Sequence, residues 1–243
     1  DTCFNIALGK NAGYSLNAGD YNVFLGHSAG QNATDCSNNV FIGRDAGKCY
    51  DGGNNIFLGE YSGRGSTSVS SNTGGFNIAM GYIAGGCLTN GSYNIFFGHD
   101  VASGSGPITG SSNVVIGCES GKNLTSGNGN IFLGRYAGEK TTTGSNNIAI
   151  GCKAHCHNCT GSNNVIMGFK AGYSLTTARY NVLIGDNAGY SLTSTSENNE
   201  NVMIGNSAGR NADAATNAAH YNVYVGSGAG YYMDDGDSNV YIG

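Results

Sequence analysis

Apolar and polar residues alternate in a short phrase that recurs along the whole chain. The phrase is Asn, then Val or Ile, then a variable residue, then an aliphatic or aromatic residue, then Gly, as in Asn39–Gly43. Apolar positions with a period of two predict a β-strand, here of about five residues. The phrase occurs fourteen times, with its Asn at Asn5, Asn22, Asn39, Asn55, Asn77, Asn94, Asn113, Asn130, Asn147, Asn164, Asn181, Asn201, Asn222 and Asn239.

The spacing of these copies indicates the fold class. Most copies lie 17 residues apart, and the remaining steps range from 16 to 22 residues. A short unit copied in this way is the signature of a repeat protein. The period is too short for a repeat that contains a helix, and no segment shows a sustained period of 3.6 residues. We therefore predict an all-β fold, a parallel β-solenoid (β-roll) of about 14 rungs, forming a single domain over residues 1–243.

A turn and a polar arc complete each copy. The turn has the form Gly-x-x-Ala-Gly, as in Gly168–Gly172, and its closing Gly is replaced only by Ala102 and His155. Glycine is the residue that a left-handed backbone turn favours. The rest of each copy is polar and variable in length, which predicts an exposed arc that returns the chain to the next strand.

Stacked copies place equivalent residues one above another, about 4.8 Å apart. The Asn at the head of each copy then falls into a column, in which each amide donates to one neighbour and accepts from the other. We expect this Asn ladder to satisfy polar groups that would otherwise be buried without partners. A row of ligand-binding Asn side chains is the alternative.

The third strand position leads to a prediction about assembly. We expect the second and fourth positions to face the interior, which would turn the third position outward. An exposed apolar column of this length exceeds what a monomer usually leaves open, so we expect it to be buried against another chain or against a second face of the same coil. In the alternative, the coil is flattened and this column is internal too. The predicted assembly stripe consists of Phe24, Phe41, Phe57, Phe96, Phe132, Ile166, Leu183, Met203, Tyr224 and Tyr241.

The first and last copies suggest a second route to assembly. The sequence opens on the strand Phe4–Gly9 and stops on the strand Asn239–Gly243, without a polar cap. Open rungs offer unpaired backbone groups, so we expect copies to stack head to tail into a filament. The other interpretation is that the sequence is a fragment of a longer solenoid.

Composition excludes several partners and favours an extracellular setting. The eleven Lys and Arg residues are spread thinly and the net charge is −5, which argues against nucleic acid. The apolar runs are too short for a membrane span, and no export leader is visible. Eight Cys residues indicate an oxidising environment, either extracellular or on a cell or virion surface.

The cysteines suggest two disulfides. Cys36 and Cys49 lie in the arcs of consecutive copies and are candidates for a cross-rung bridge. Cys156 and Cys159 are candidates for a local bridge within the segment 152–159, for which zinc binding and free thiols are the alternatives. We expect no metal and no cofactor, and we interpret the acidic segment 234–237 as a solvated turn.

The arcs also contain four N-glycosylation sequons, at Asn32, Asn90, Asn123 and Asn158. They predict a glycoprotein, and none of them uses a ladder Asn. No catalytic constellation stands out, because the five His residues have no fixed nucleophile or carboxylate companion. We therefore expect a protein that is not an enzyme.

The strand phrase followed by x-x-Ala resembles the repeat in the head domains of trimeric autotransporter adhesins. The fuller form Asn-Asn-Val-Phe-Ile-Gly-x-x-Ala-Gly, present at 38–47, is similar to repeats of bacterial and phage tail-fibre-type surface proteins. The resemblance covers the whole chain and implies a parallel β-roll, left-handed and often homotrimeric, used for adhesion or as a fibre shaft. The sequence differs from adhesin heads in its longer copies and its eight Cys residues.

Two functions follow as hypotheses. The first is a structural subunit of an extracellular fibre or filament, whose partners are copies of itself in a head-to-tail filament or a homotrimer. The second is an adhesin or phage tail-fibre segment, whose arcs bind glycans or a host surface. An ice-binding solenoid is a distant third, because no face has regular Thr-x-Thr rows.

Overall fold

The fold is the predicted all-β parallel solenoid, with about 17 residues per turn. The structure is a computed structural model that describes residues 4–66, 72–104, 106–192, 200–211, 220–233 and 237–243. Its Cα positions form two compact units, residues 1–119 with 123–126 and residues 120–122 with 127–243.

Each repeat contributes one strand of three residues, formed by the second to fourth positions of the phrase. The first unit contains β1 (Ile6–Leu8), β2 (Val23–Leu25), β3 (Val40–Ile42), β4 (Ile56–Leu58), β5 (Ile78–Met80), β6 (Ile95–Phe97) and β7 (Val114–Ile116). The second unit contains β8 (Ile131–Leu133), β9 (Ile148–Ile150), β10 (Val165–Met167), β11 (Val182–Ile184), β12 (Val202–Ile204), β13 (Val223–Val225) and β14 (Val240–Ile242).

Within each unit, neighbouring strands pair in parallel and in register. Phe41 of β3 lies opposite Phe24 of β2 and Phe57 of β4. The longest step in the repeat leaves this register intact, since Ile56 still pairs with Ile78 across 22 residues. Insertions are therefore absorbed in the arcs, and the sheet is the constant part of the fold.

The predicted direction of the strand side chains is wrong. The third position points into the solenoid, and the second and fourth positions point out. The reason is that the first position, the ladder Asn, is itself buried, and alternation with a period of two places the third position on the same side. Tyr241 in β14 is 40% exposed. The other nine residues of the predicted assembly stripe are each at most 1% exposed: Phe24, Phe41, Phe57, Phe96, Phe132, Ile166, Leu183, Met203 and Tyr224.

The third-position side chains form the core by stacking from rung to rung. The rings of Phe24 and Phe41 have centroids 5.1 Å apart, and those of Phe41 and Phe57 have centroids 4.9 Å apart. The planes of Phe41 and Phe57 are nearly parallel. Tyr50, from the start of an arc, packs its edge against Phe57 at 5.0 Å. Offset and edge-on aromatic pairs of this kind stabilise a core beyond the area that they bury.

The predicted Asn ladder is present as hydrogen bonds. Asn39 donates from its backbone N–H (3.0 Å) and from its side-chain Nδ2 (3.2 Å) to Oδ1 of Asn22. Asn22 also donates from Nδ2 to the carbonyl of Cys36 at 2.8 Å. This arrangement repeats within each unit, from Asn5 to Asn113 and from Asn130 to Asn239. Each amide therefore joins two rungs and satisfies a carbonyl at the end of an arc.

The glycines are required by geometry at both ends of the turn. Gly134, which ends a strand phrase, has φ +131°, and a Cβ there would lie 2.8 Å from the backbone of Gly151 in the next rung. The closing Gly138 has φ +58°, and a Cβ there would lie 2.7 Å from the ring of Phe132. The left-handed turn predicted from the closing Gly is therefore confirmed.

Left-handed backbone also occurs at residues that sequence reasoning missed. The residue before the ladder Asn is left-handed, as at Tyr93 (φ 60°), and so is the third residue of the turn, as at Tyr136 (φ 59°). Such a conformation costs roughly 1–2 kcal/mol at a residue other than Gly. Since it recurs in rung after rung, the ladder and the core must offset this cost.

Replacing Phe57 by Ala should lower the free energy of unfolding by about 3–5 kcal/mol, because the ring is fully buried and leaves a cavity. Ile56, its neighbour in β4, is 39% exposed and is the matched control. Replacement of Ile56 by Ala should cost only about 1 kcal/mol. Urea unfolding of both variants measures the difference, and a larger loss at Ile56 would contradict the observed orientation.

Replacing Asn94 by Ala should destabilise the protein by about 3 kcal/mol or more, because it leaves the backbone N–H of Asn113 and the carbonyl of Gly110 without their bonds to its amide. Asn17 is exposed and lies outside the ladder, so Asn17→Ala is the control. Similar unfolding midpoints for the two variants would show that the ladder adds little stability.

Candidate functional site

The largest candidate surface is the outward side of the strands. We define the outer strand face as the second and fourth positions of each strand together with the residue that precedes each ladder Asn. Its apolar side chains are half exposed, for example Ile56 (39%), Ile95 (38%) and Phe97 (50%). They are held there because the buried first and third positions fix the pleat of the strand.

Aromatic side chains are concentrated on this face at β5 and β6. Phe76 and Tyr93, which precede consecutive ladder Asn residues, are both more than half exposed, and their rings stack with centroids 5.0 Å apart. Phe97 lies in the same pair of rungs, and Tyr82 stacks on His99 just beyond the strands at 5.2 Å. Exposed rings in one cluster are typical of the centre of a protein interface.

The outer strand face is apolar and large enough to favour burial against another surface. Seven strands about 4.8 Å apart, each of three residues, present roughly 340 Å² in each unit. This area reaches the few hundred Å² of contiguous apolar surface that soluble monomers rarely exceed. At its margin Arg44 and Glu60 form an ion pair, so these two charges neutralise each other beside the apolar surface.

The structure does not support the predicted cross-rung disulfide, since Cys36 and Cys49 are both free thiols. The register explains why. Asp35 donates its N–H to Asp51, which places Cys36 beside residue 52, whereas Cys49 lies beside Asn32, whose Nδ2 is 3.4 Å from its Sγ. The two thiols therefore occupy different columns. Burial, with Asp51 nearby, raises the pKa of Cys36 to about 12.

The predicted local disulfide is also absent, because Cys156 and Cys159 are free thiols. Cys156 donates to Glu139 Oε2 at 3.3 Å, and Cys159 donates to the carbonyl of His157 at 3.6 Å. Burial and the bond to Glu139 raise the pKa of Cys156 to about 12. Within the described ranges, no three His, Cys, Asp or Glu side chains come together as a metal site.

The four predicted glycosylation sites differ in access. Asn90 and Asn123 are exposed, and Asn32 is half-buried. Asn158 is fully buried and its amide is bonded within the chain, donating to the carbonyl of Gly161 at 3.1 Å and accepting from the N–H of Gly161 at 2.8 Å. The prediction is therefore wrong for Asn158, because a glycan cannot be attached to this enclosed amide in the folded protein.

One surface pocket, of about 210 Å³, lies in the first unit. It is lined by Tyr61, Arg64, Ile83, Gly86 and Cys87. Burial raises the pKa of the Cys87 thiol, although Arg64 opposes the shift. A thiol that stays protonated is a weak nucleophile, so the pocket has no evident catalytic group.

Sequence reasoning missed two buried polar side chains in the second unit. His155, which takes the place of a closing turn Gly, is fully buried and neither ring nitrogen has a partner; the hydroxyl of Thr141, also buried, has none either. The strand of the same rung offers only Ala149 at its third position, where β8 has Phe132. The imidazole therefore replaces a core ring, and burial lowers its pKa to about 3. The signal in the sequence was the joint departure of residues 149 and 155 from the repeat.

Comparison with known proteins leaves the site to be interpreted from its geometry. Protein-family models, curated proteins and solved structures were searched, and none matches the chain. The described residues contain no helix whose length and hydropathy would let it cross a membrane.

Acid should destabilise the fold through His155. Its pKa is about 3 in the folded protein against 6.5 ordinarily, so the unfolded chain takes up the proton first as the pH falls. The contribution of this residue to stability is complete above about pH 6.5 and falls by about 1.4 kcal/mol per pH unit between pH 6.5 and 3. Urea unfolding across this range measures the slope.

The control is the double variant Ala149→Phe with His155→Gly, which rebuilds the combination of Phe132 and Gly138. It should lose stability more slowly on acidification than the natural chain does. Equal slopes in the two proteins would mean that other groups account for the acid sensitivity.

Proposed function

We propose that the protein is a structural subunit of an extracellular fibre, and that it associates with copies of itself through the outer strand face. The observation that supports this best is the orientation of the strands. The strands between the two terminal ones, as in β2, β4, β6 and β8, bury their middle residue and present an apolar residue outward on each side of it, so the exposed face is apolar along each unit. Such a face is costly in water and is stabilised when a second copy covers it.

The aromatic cluster supports a specific contact. Tyr and Phe side chains near the centre of an interface supply much of the binding energy, because they bury large areas with little loss of conformational freedom. Phe76, Tyr93 and Phe97 provide such anchors in the first unit, each at least half exposed. An identical chain carries the same anchors, so a second copy can cover them with a like apolar surface.

The interior suits a load-bearing role. The rungs are joined by backbone pairing, by the Asn ladder and by stacked rings, for example at Asn39 and Phe41, so each rung is held to its neighbours at several points. The exposed sequons Asn90 and Asn123 lie in arcs, outside the strands. Their side chains are open to glycan attachment, which suits an extracellular assembly.

Replacing Ile95 and Phe97 together by Ser should weaken self-association by roughly 30-fold or more, since loss of interface anchors costs about 2 kcal/mol or more. The melting temperature should change little, because both side chains point outward. Sedimentation velocity and negative-stain images measure the assembly. The control is Asn123→Ser with Thr143→Ala, both exposed in arcs. A natural chain that stays monomeric at every concentration would refute the proposal.

A further inference from the structure

A second surface, in the second unit, combines tyrosines with cations. Tyr173, Tyr190, Arg210 and Tyr231 each follow the closing Gly of their turn, so they form one column across four consecutive rungs. Their backbones confirm this order, because Ser174 donates its N–H to Tyr190, and Asn211 donates its N–H to Tyr231. We call these four residues, together with Lys170, the tyrosine–cation column.

The rings and the cations of this column lie in close contact. The rings of Tyr173 and Tyr190 are stacked, with centroids 5.2 Å apart and planes within 3°. Lys170 Nζ lies 5.9 Å and 5.8 Å from the centroids of these two rings. Arg210 Cζ lies 5.6 Å from the Tyr190 ring and 5.9 Å from the Tyr231 ring, and its Nη1 donates to the Tyr231 hydroxyl at 3.3 Å.

The cations of the column have no carboxylate partner in the described part of the chain. Two acids of the same unit accept other hydrogen bonds, Asp186 from the backbone N–H of Phe169 and Glu139 from the Cys156 thiol. In the first unit, by contrast, Arg44 is paired with Glu60 although it too lies over a tyrosine ring. Cations over aromatic rings without an acid leave their attraction for an anion unsatisfied.

The groups that the column offers to a ligand are mostly donors: an ammonium, a guanidinium and phenolic hydroxyls. The two stacked rings contact one another, the cations and the edge of His157, whose ring centroid lies 4.4 Å from that of Tyr173, so little open ring face is left for a base. Single-stranded nucleic acids bind by stacking their bases on open rings, and this geometry disfavours them. Four rungs extend about 14 Å at about 4.8 Å per rung. The ligand that fits is therefore linear, repeats acidic groups along its length and carries hydroxyls for the tyrosines.

We propose that the tyrosine–cation column binds an acidic polysaccharide, with its carboxylate or sulfate groups on Lys170 and Arg210 and its hydroxyls on Tyr173, Tyr190 and Tyr231. Guanidinium groups bind such anions in a bidentate manner, and an ammonium binds them as a point charge. The site is separate from the outer strand face, so it does not depend on self-association.

The test uses the full chain and four immobilised probes: polygalacturonate for carboxylates, heparin for sulfates, dextran as a neutral polysaccharide, and oligo-dT. We expect binding to polygalacturonate, to heparin or to both, which also tells the two acidic groups apart. Binding should weaken as salt is added, because the contacts are ionic and the two cations are only partly buried. Retention on dextran equal to that on both acidic polymers would overturn the proposal.

The variant is Lys170→Asn with Arg210→Gln, which removes both charges and keeps a residue that tolerates the left-handed conformation of position 170. Its affinity for the acidic polysaccharide should be lower by at least about tenfold. Arg44→Gln is the matched control and should bind like the natural chain, because that guanidinium is already paired.

Melting curves of both variants show whether they are folded, and Tyr190→Phe gives a second readout that leaves the stack intact and removes one hydroxyl. We expect this variant to bind more weakly than the natural chain. Unchanged affinity in the folded double variant, or oligo-dT binding as tight as that of the acidic polymers and lost in the same variant, would overturn the proposal.

Discussion

The Asn ladder is the constraint on which the rest of the structure depends. A primary amide has two donor hydrogens and an acceptor oxygen, and leaving them unpaired in the interior is costly. Here each oxygen accepts two bonds from the next rung, as Asn22 accepts from Asn39, and each nitrogen donates to the preceding rung and to the end of an arc. These bonds form only if every copy presents Asn at the same place, pointing inward. The ladder therefore fixes the register and the orientation of every strand at once.

Much of the fold follows from the repeat, but the direction of the strand side chains was predicted wrongly. The strands, their register and the left-handed closing glycines were predictable, because each depends on a residue type that recurs at a fixed place. The direction of the side chains was predictable as well. Asn39 and Phe41 are two residues apart, so a buried Asn39 requires a buried Phe41. Treating the most uniformly aliphatic positions as the core overlooked that requirement.

Other features could not be obtained from the pattern, because they depend on neighbours in space. Tyr136 and Tyr93 are left-handed although nothing in their side chains favours that conformation, so the surrounding rungs impose it. Asn158 has the sequence of a glycan acceptor but shares its place in the rung with the buried Leu124 and Leu175. A sequon reports chemistry and leaves burial undetermined. The same holds for the cysteines, since pairing requires that both thiols occupy one column of the stacked rungs, and Cys36 and Cys49 do not.

The alternation that builds the core also creates the surface that the core cannot cover. A strand with one inward residue between two outward ones buries Phe57 and, for the same reason, exposes Ile56. A helix or a second sheet would cover this face in a layered domain, but a solenoid of short rungs has only its own arcs, which lie elsewhere on the rung. Selection on the core and selection on the exposed face thus act on different positions of one phrase. The tyrosine–cation column occupies a third set of positions, after the closing turn. Its residues vary from rung to rung without disturbing either of the others, which is why a uniform repeat can hold a local binding site.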